Sequence, residues 1–141
     1  FSVTRTLSEE DMIRFAEITR DYNPVHFDDR FAWAKGMDGR ICHGLLVACL
    51  MTEIGGQCGW LASRRDFRFK RPVYFGDTVT CTLTMTKLHD NGRGEVDAVY
   101  TNQHGDVVME AFLVGILPGE TEKEIVRTML EEGDPTNPLT R

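Results

Sequence analysis

Asp21 and His26, five positions apart, are the residues of this chain best suited to moving protons. They bracket Asn23-Pro24 in the segment DYNPVHF. An imidazole titrates near neutrality and can both take and give a proton, while a carboxylate can draw one from water. Pro24 fixes its own backbone and pushes Asn23 out of the helical region, so the turn between the two groups is stiff. An acid and a base held over such a turn could grip one water between them. The same residues also suit a turn cap and a partly buried structural histidine, and both readings stand at this point.

His43-Gly44 is the second feature. Gly44 opens the apolar run CHGLLVACLMTEIGG. Backbone N–H groups at a helix start are unpaired, and the dipole there is positive. With no side chain, Gly44 would let a ligand carbonyl approach its amide, which is oxyanion-hole chemistry. A glycine needed for tight helix–sheet packing fits the position equally well. His43 is either a ligand contact or a hydrogen-bonded structural group. Thr52 and Glu53 are the polar pair near the end of the run. The Thr52 hydroxyl can bond back to the carbonyl four residues earlier. Glu53, if it points inward, is a base for a different reaction. In the basic run RRDFRFKR, Arg64, Arg65 and Arg71 could hold phosphates, whereas Arg68 and Lys70 suit a solvated strand face. His89 and His104 fall in predicted turns, and the histidines show no metal-ligand spacing.

These residues need elements to carry them. Alternation over Phe1–Thr6 predicts a first strand. Ser8 is an N-cap, with acids in the following turn, and an amphipathic helix runs to about Arg20. Asp28 and Asp29 cap a second short helix, Arg30 to about Lys35. Gly36 to Arg40 is a glycine-containing loop. The apolar run predicts one helix, buried on most sides and stopped at Gly55-Gly56. Period-two alternation follows at Phe67 and Phe69, over Val79–Met85 and over Val96–Tyr100, and a last long strand runs over Val107–Leu117. Asp90-Asn91-Gly92 marks a hairpin. The last of these strands is apolar on both faces except at Glu110, which predicts a central place in the sheet. The fold class is therefore α+β: a curved meander of about four antiparallel strands wrapped round one buried helix. Residues 1–118 form that domain. Residues 119–141 add an acidic amphipathic helix, Glu120 to Glu132, and a polar tail from Asp134 that frays.

The chain has 141 residues and a net charge of −6, with 41% hydrophobic residues. That length suits one domain with a real core. The acidic balance argues against nucleic acid, whose phosphates need a basic face. No apolar run reaches the ~20 residues of a membrane span. Cys42, Cys49, Cys58 and Cys81 form no C-x-x-C pair and read as buried free thiols in a reducing, cytoplasmic setting.

DYNPVHFDDRFA, GRICHGLLVACLMT and RFKRPVYFGDTV together resemble the MaoC-like, (R)-specific enoyl-CoA hydratase family over roughly Ser8 to Leu117. The resemblance implies the hotdog fold, a sheet wrapped round one long helix. It implies reversible hydration of a trans-2-enoyl-CoA, or the carrier-protein thioester, to the (3R)-3-hydroxyacyl thioester. Asp21 and His26 would activate the water, and the Gly44 amide would bind the thioester oxygen. Asn23, His43 and Thr52 would lie at the substrate, with Thr52 standing where the family often has serine. The thioester is the substrate, no separate cofactor or metal is implied, and a homodimer or higher homo-oligomer is expected. The family typically reads Ser/Thr-Gly-Asp before Asn-Pro, whereas this chain has Thr19-Arg20-Asp21. Two other readings stay open. One is an acyl-CoA thioesterase on the same fold using Glu53, and the other is a non-catalytic acyl-thioester-binding module.

Overall fold

The computed structural model describes residues 1–133, so the polar tail expected from Asp134 lies outside the described residues. The alternating segments form β1 (Ser2–Thr6), β2 (Leu61–Phe69), β3 (Thr78–Leu88), β4 (Arg93–Thr101) and β5 (Val107–Ile116). All pair antiparallel in one sheet of order β1-β3-β4-β5-β2. Only β3-β4-β5 is a meander. β2 was expected inside it and instead lies beyond β5 at the sheet's outer edge. The segment between β2 and β3 explains the difference. It contains Pro72, and its Val73 carbonyl accepts from the Cys42 amide at 2.7 Å, so it crosses to the start of the buried helix instead of turning back on β2. β5, flanked by β4 and β2, is an interior strand, as its apolar composition requires, while β4 holds the middle of the sheet.

The helices are α1 (Glu9–Thr19), α2 (Asp29–Ala34), α3 (Gly44–Ala48), α4 (Leu50–Gln57) and α5 (Glu120–Glu131), with a single 3-10 turn at Pro24–His26. Ser8 caps α1 in a reciprocal box with Asp11. Asp28 caps α2. The apolar run is therefore two helices with a break at Cys49, where one was expected. The cause is Tyr100, a fully buried tyrosine on β4. Its hydroxyl donates to the Ala48 carbonyl at 3.0 Å and takes that acceptor out of the helical ladder. The Cys49 carbonyl then accepts both the Thr52 amide at 2.9 Å and the Thr52 hydroxyl at 2.6 Å. Thr52 thus bonds three residues back, not four.

Val47, Ala48, Leu50 and Met51 from these two helices meet Val79, Cys81, Ala98 and Leu113 of the sheet, and this contact is the core. The apolar surface it removes from water is the main stabilising contribution to the fold. Leu45, Cys49, Thr52 and Gly56 form an exposed stripe, so the helix is less buried than its composition suggests. Of the four free cysteines, Cys42 and Cys81 are buried as expected, whereas Cys49 and Cys58 are exposed. Burial pushes the Cys42 thiol up to about 12, so it is inert as a nucleophile. No helix among the described residues is long and apolar enough to cross a membrane.

Candidate active site

His26 is built into its place by backbone. The Asn23 side chain accepts from the Val25 amide at 3.2 Å and shapes the 3-10 turn that carries the imidazole. His26 is 7% exposed, and its Nδ1 lies 2.8 Å from the Ile41 carbonyl. A carbonyl can only accept, so Nδ1 carries the proton and Nε2 presents a lone pair. Ile41 is fixed in turn, donating its amide to Val25 and bridging to Tyr74. Tyr74 belongs to the turn of PVYFGD, where the Asp77 carboxylate accepts the Tyr74 amide at 2.8 Å and Gly76 takes φ +88°. That motif therefore works at a distance: it pins the strand-like segment that orients His26.

Asp21 follows the end of α1. Arg20 closes that helix in the left-handed conformation, φ 60°, and is the one non-glycine residue among those described with positive φ. This is the position where the resembling family has glycine, and the structure supplies the reason: Cβ is disfavoured there. Arg20→Gly should therefore raise stability by roughly 1 kcal/mol in urea unfolding, with the Asp21 turn unchanged. Beyond Arg20, the Asp21 Oδ1 accepts the Asn23 amide at 3.2 Å. Its Oδ2 lies 3.9 Å from the His26 Nε2, too far for a direct hydrogen bond and close enough for one water to bond both.

His43 lies under this pair, 1% exposed. Its ring stacks on His26 with centroids 3.8 Å apart, and its Nε2 donates to the Asp21 backbone carbonyl at 2.9 Å. Gly44 comes next and begins α3. Its amide has no intrahelical acceptor, and His43 provides no side-chain cap. With five residues, α3 contributes little dipole, so anion binding here rests on the amide itself. A Cβ on Gly44 would sit 2.5 Å from the Phe69 ring, so the packing reason for this glycine is also real.

Asp21, His26, His43 and Gly44 line one cavity of about 420 Å³. Its other walls are mostly apolar and include Met37, Val47, Phe69, Val73 and Met109. An apolar pocket with a few convergent polar groups is the usual form of a small-molecule site. Burial holds the His26 imidazole below its ordinary value. The Ile41 carbonyl opposes that shift, the charge of His43 adds to it, and Asp21 opposes it. His26 is therefore neutral, with a free Nε2, over the neutral range. If that lone pair is the working base, the acid limb of kcat/KM should fall below pH 6.5, the ordinary imidazole value. An acid limb at or above that pH would show that another group is titrating.

The nearest ligand atoms of Asp21, His26 and His43 lie within 4.8 Å of one another. They suit a metal ion poorly. The His43 Nε2, the ring nitrogen 3.9 Å from the Asp21 carboxylate, is committed as a donor to the Asp21 carbonyl, which leaves the His26 Nε2 and the carboxylate at that point. Protein-held transition metals take three or more such ligands.

Other predicted site residues lie elsewhere. The Asn23 side chain is occupied by its own turn and does not line the cavity. Thr52 is eight residues along from Gly44, about 12 Å by helical rise, and its hydroxyl is spent on Cys49. Glu53 pairs with Arg5 at 2.7 Å and does not line the cavity, which removes the base a thioesterase reading requires there. Arg71 lines the cavity, with its guanidinium on the Val107 carbonyl at 2.7 Å. Arg64 is held by Asp66 at 2.6 Å, and Arg65 faces a separate small cavity beside Trp60. A strand rises about 3.3 Å per residue, so residues six apart cannot converge on one phosphate. Lys70 is exposed, as the alternation predicts, pairs with Glu110 at 3.1 Å and also lines the cavity. The loop over 36–40 is tied down: Arg40 pairs with Glu9 at 2.7 Å, and the Asp38 amide donates to the Tyr74 hydroxyl. The orienting Ile41 carbonyl and the Phe69 ring were not foreseen. A backbone carbonyl leaves no mark in sequence, and Phe69 reads as one more alternating strand residue.

The chain has relatives among known proteins. The chain is 31% identical to an (R)-specific enoyl-CoA hydratase of Rhodospirillum rubrum, over 83% of this chain and 84% of that protein. It is 29% identical to a mitochondrial 3-hydroxyacyl-[acyl-carrier-protein] dehydratase of Arabidopsis thaliana, over 82% and 73% of the two. Among solved structures, the (R)-hydratase from A. caviae involved in PHA biosynthesis superposes with a TM-score of 0.78 at 28% identity, covering 84% of this chain and 93% of that one. The arrangement of a five-stranded antiparallel sheet against a central helix is the hotdog fold of these neighbours. The family model for the MaoC like domain matches residues 1–108, most of the chain and every residue of the cavity's polar wall, and the chain belongs to that family.

Proposed function

We propose that the chain catalyses the reversible hydration of a trans-2-enoyl thioester to the (3R)-3-hydroxyacyl thioester. The observation that carries this is the Asp21 carboxylate and the bare His26 Nε2, 3.9 Å apart, in the wall of an apolar cavity that Gly44 also lines. Relatives named as hydratases and dehydratases of enoyl and 3-hydroxyacyl thioesters support it.

The chemistry follows from the geometry. A water held by Asp21 and His26 attacks the electrophilic β-carbon of the enoyl thioester. The pair takes one proton from that water and returns a proton to the α-carbon, so the elements of water add across the double bond. Charge that builds on the thioester oxygen in the enolate-like transition state meets the Gly44 amide. No external cofactor enters the balance. The acyl chain lies along the apolar walls, and Arg71, with Lys70 beside it already paired to Glu110, offers positive charge in the cavity lining for the anionic carrier. The exposed Leu45–Cys49 stripe and the free edge of β2 fit a homodimer. The four free cysteines fit a reducing compartment such as the cytoplasm.

The test is a spectrophotometric hydration assay on crotonyl-CoA and longer 2-enoyl-CoAs, with chiral analysis of the product. A 3R alcohol is expected. A 3S product, or none at any chain length, would overturn the reading.

A further inference from the structure

His43 makes more contacts around the candidate pair than a core histidine requires. Its ring lies face to face with His26, 3.8 Å between centroids at 28°, and is enclosed by Phe15 at 5.3 Å and Phe27 at 6.3 Å. Its Nε2 donates to the backbone carbonyl of Asp21. Its Nδ1 is buried without a hydrogen-bond partner among the described residues, as are Gln57 Nε2 and Trp60 Nε1, so the stack and the donor are what single His43 out. It is also the residue immediately before Gly44. One side chain thus touches the base, the backbone of the acid and the start of the helix that carries the amide. We propose that His43 is a positioning residue that sets the separation of Asp21, His26 and Gly44 by combining a ring stack on His26 with a donor to the Asp21 carbonyl.

This inference rests on the hydratase reading for its kinetic effect, though not for its structural one. Burial is the main cause of the lowered His26 pKa, and the His43 ring supplies part of that burial. The charged or titratable groups that share the cavity with His26 are Asp21, Cys42, His43, Lys70 and Arg71.

Three variants separate the two contacts. His43→Phe keeps a ring and loses the donor. His43→Gln keeps a donor and loses the ring. His43→Ala loses both. Misplacement of a catalytic group by a neighbour's loss typically costs up to about 10²-fold, so His43→Ala should lower kcat by about that factor with KM little changed, and Phe and Gln by about 10-fold each. In parallel, NMR titration of the His26 imidazole should move to higher pH in His43→Gln and His43→Ala, where water replaces the ring and the charge of His43 is lost, and move less in His43→Phe, where only the charge is lost. If His43→Ala does not fold, the Phe and Gln variants carry the test. Unchanged kcat in the folded variants overturns the inference and leaves the hydratase reading standing. If the unaltered protein hydrates no enoyl thioester, that reading falls, and the titration alone decides: a His26 midpoint raised no further by His43→Gln than by His43→Phe overturns the inference, and one raised further supports it.

Discussion

Asp21→Asn and His26→Asn each lower hydration of a 2-enoyl-CoA by about 10³-fold, the middle of the range for positioned acid–base groups. Both substitutions are chosen to spare the fold. Asparagine at 21 keeps an oxygen to accept the Asn23 amide, which Asp21 Oδ1 now takes at 3.2 Å. Asparagine at 26 offers a side-chain N–H toward the Ile41 carbonyl, where His26 Nδ1 now donates at 2.8 Å, and removes Nε2. The loss should therefore appear in kcat while circular dichroism and thermal unfolding stay close to those of the unaltered protein. His26→Ala should lose as much activity and some stability, because the Ile41 carbonyl is then left buried without its donor. The two single losses should not add when combined, since both groups act on the same water. Near-normal hydration by either asparagine variant would remove the pair from the mechanism.

Gly44→Ala is the second large effect. Two explanations of this glycine predict different outcomes. A new Cβ would lie 2.5 Å from Phe69 Cε1 and 3.0 Å from its neighbours on the ring, so something must move. Phe69 is 58% exposed and can swing away, which keeps the stability cost small. If the glycine exists to let a thioester carbonyl reach its amide, the methyl group obstructs that approach and kcat/KM falls by about 10²-fold, as for loss of an oxyanion donor. If it exists only to accept the Phe69 ring, Phe69→Ala in the same chain makes room and restores activity. We expect the double variant to recover stability and not activity. Full recovery of hydration would assign Gly44 to packing alone, and the oxyanion would need another donor.

Much of this site was legible in the sequence because its causes are local. Pro24 dictates the turn that brings Asp21 toward His26, Ser8 and Asp28 cap their helices through contacts within three residues, and the alternation of β3 and β4 marks strands whose side chains face a core on one side. The motifs also carried the family, since DYNPVHF, His43-Gly44 and PVYFGD occur in the order the fold needs. What the tertiary structure decided involves partners distant in the chain. The break at Cys49 depends on a hydroxyl from Tyr100 on β4. The placing of β2 beyond β5 depends on the Cys42–Val73 contact, which sends the intervening segment across the helix start. The tautomer of His26 depends on the Ile41 carbonyl, and the role of His43 depends on a stack between residues on separate elements. Thr52 and Arg64 were placed at the site by residue type, yet helical rise and strand extension carry them away from it, and Glu53 is taken up by Arg5. Sequence alone determined which residue types were available, the local turns that aim them and the family they belong to. Only the folded chain decided which of them meet, because a contact between elements depends on how the sheet and helices pack, and no single segment encodes that.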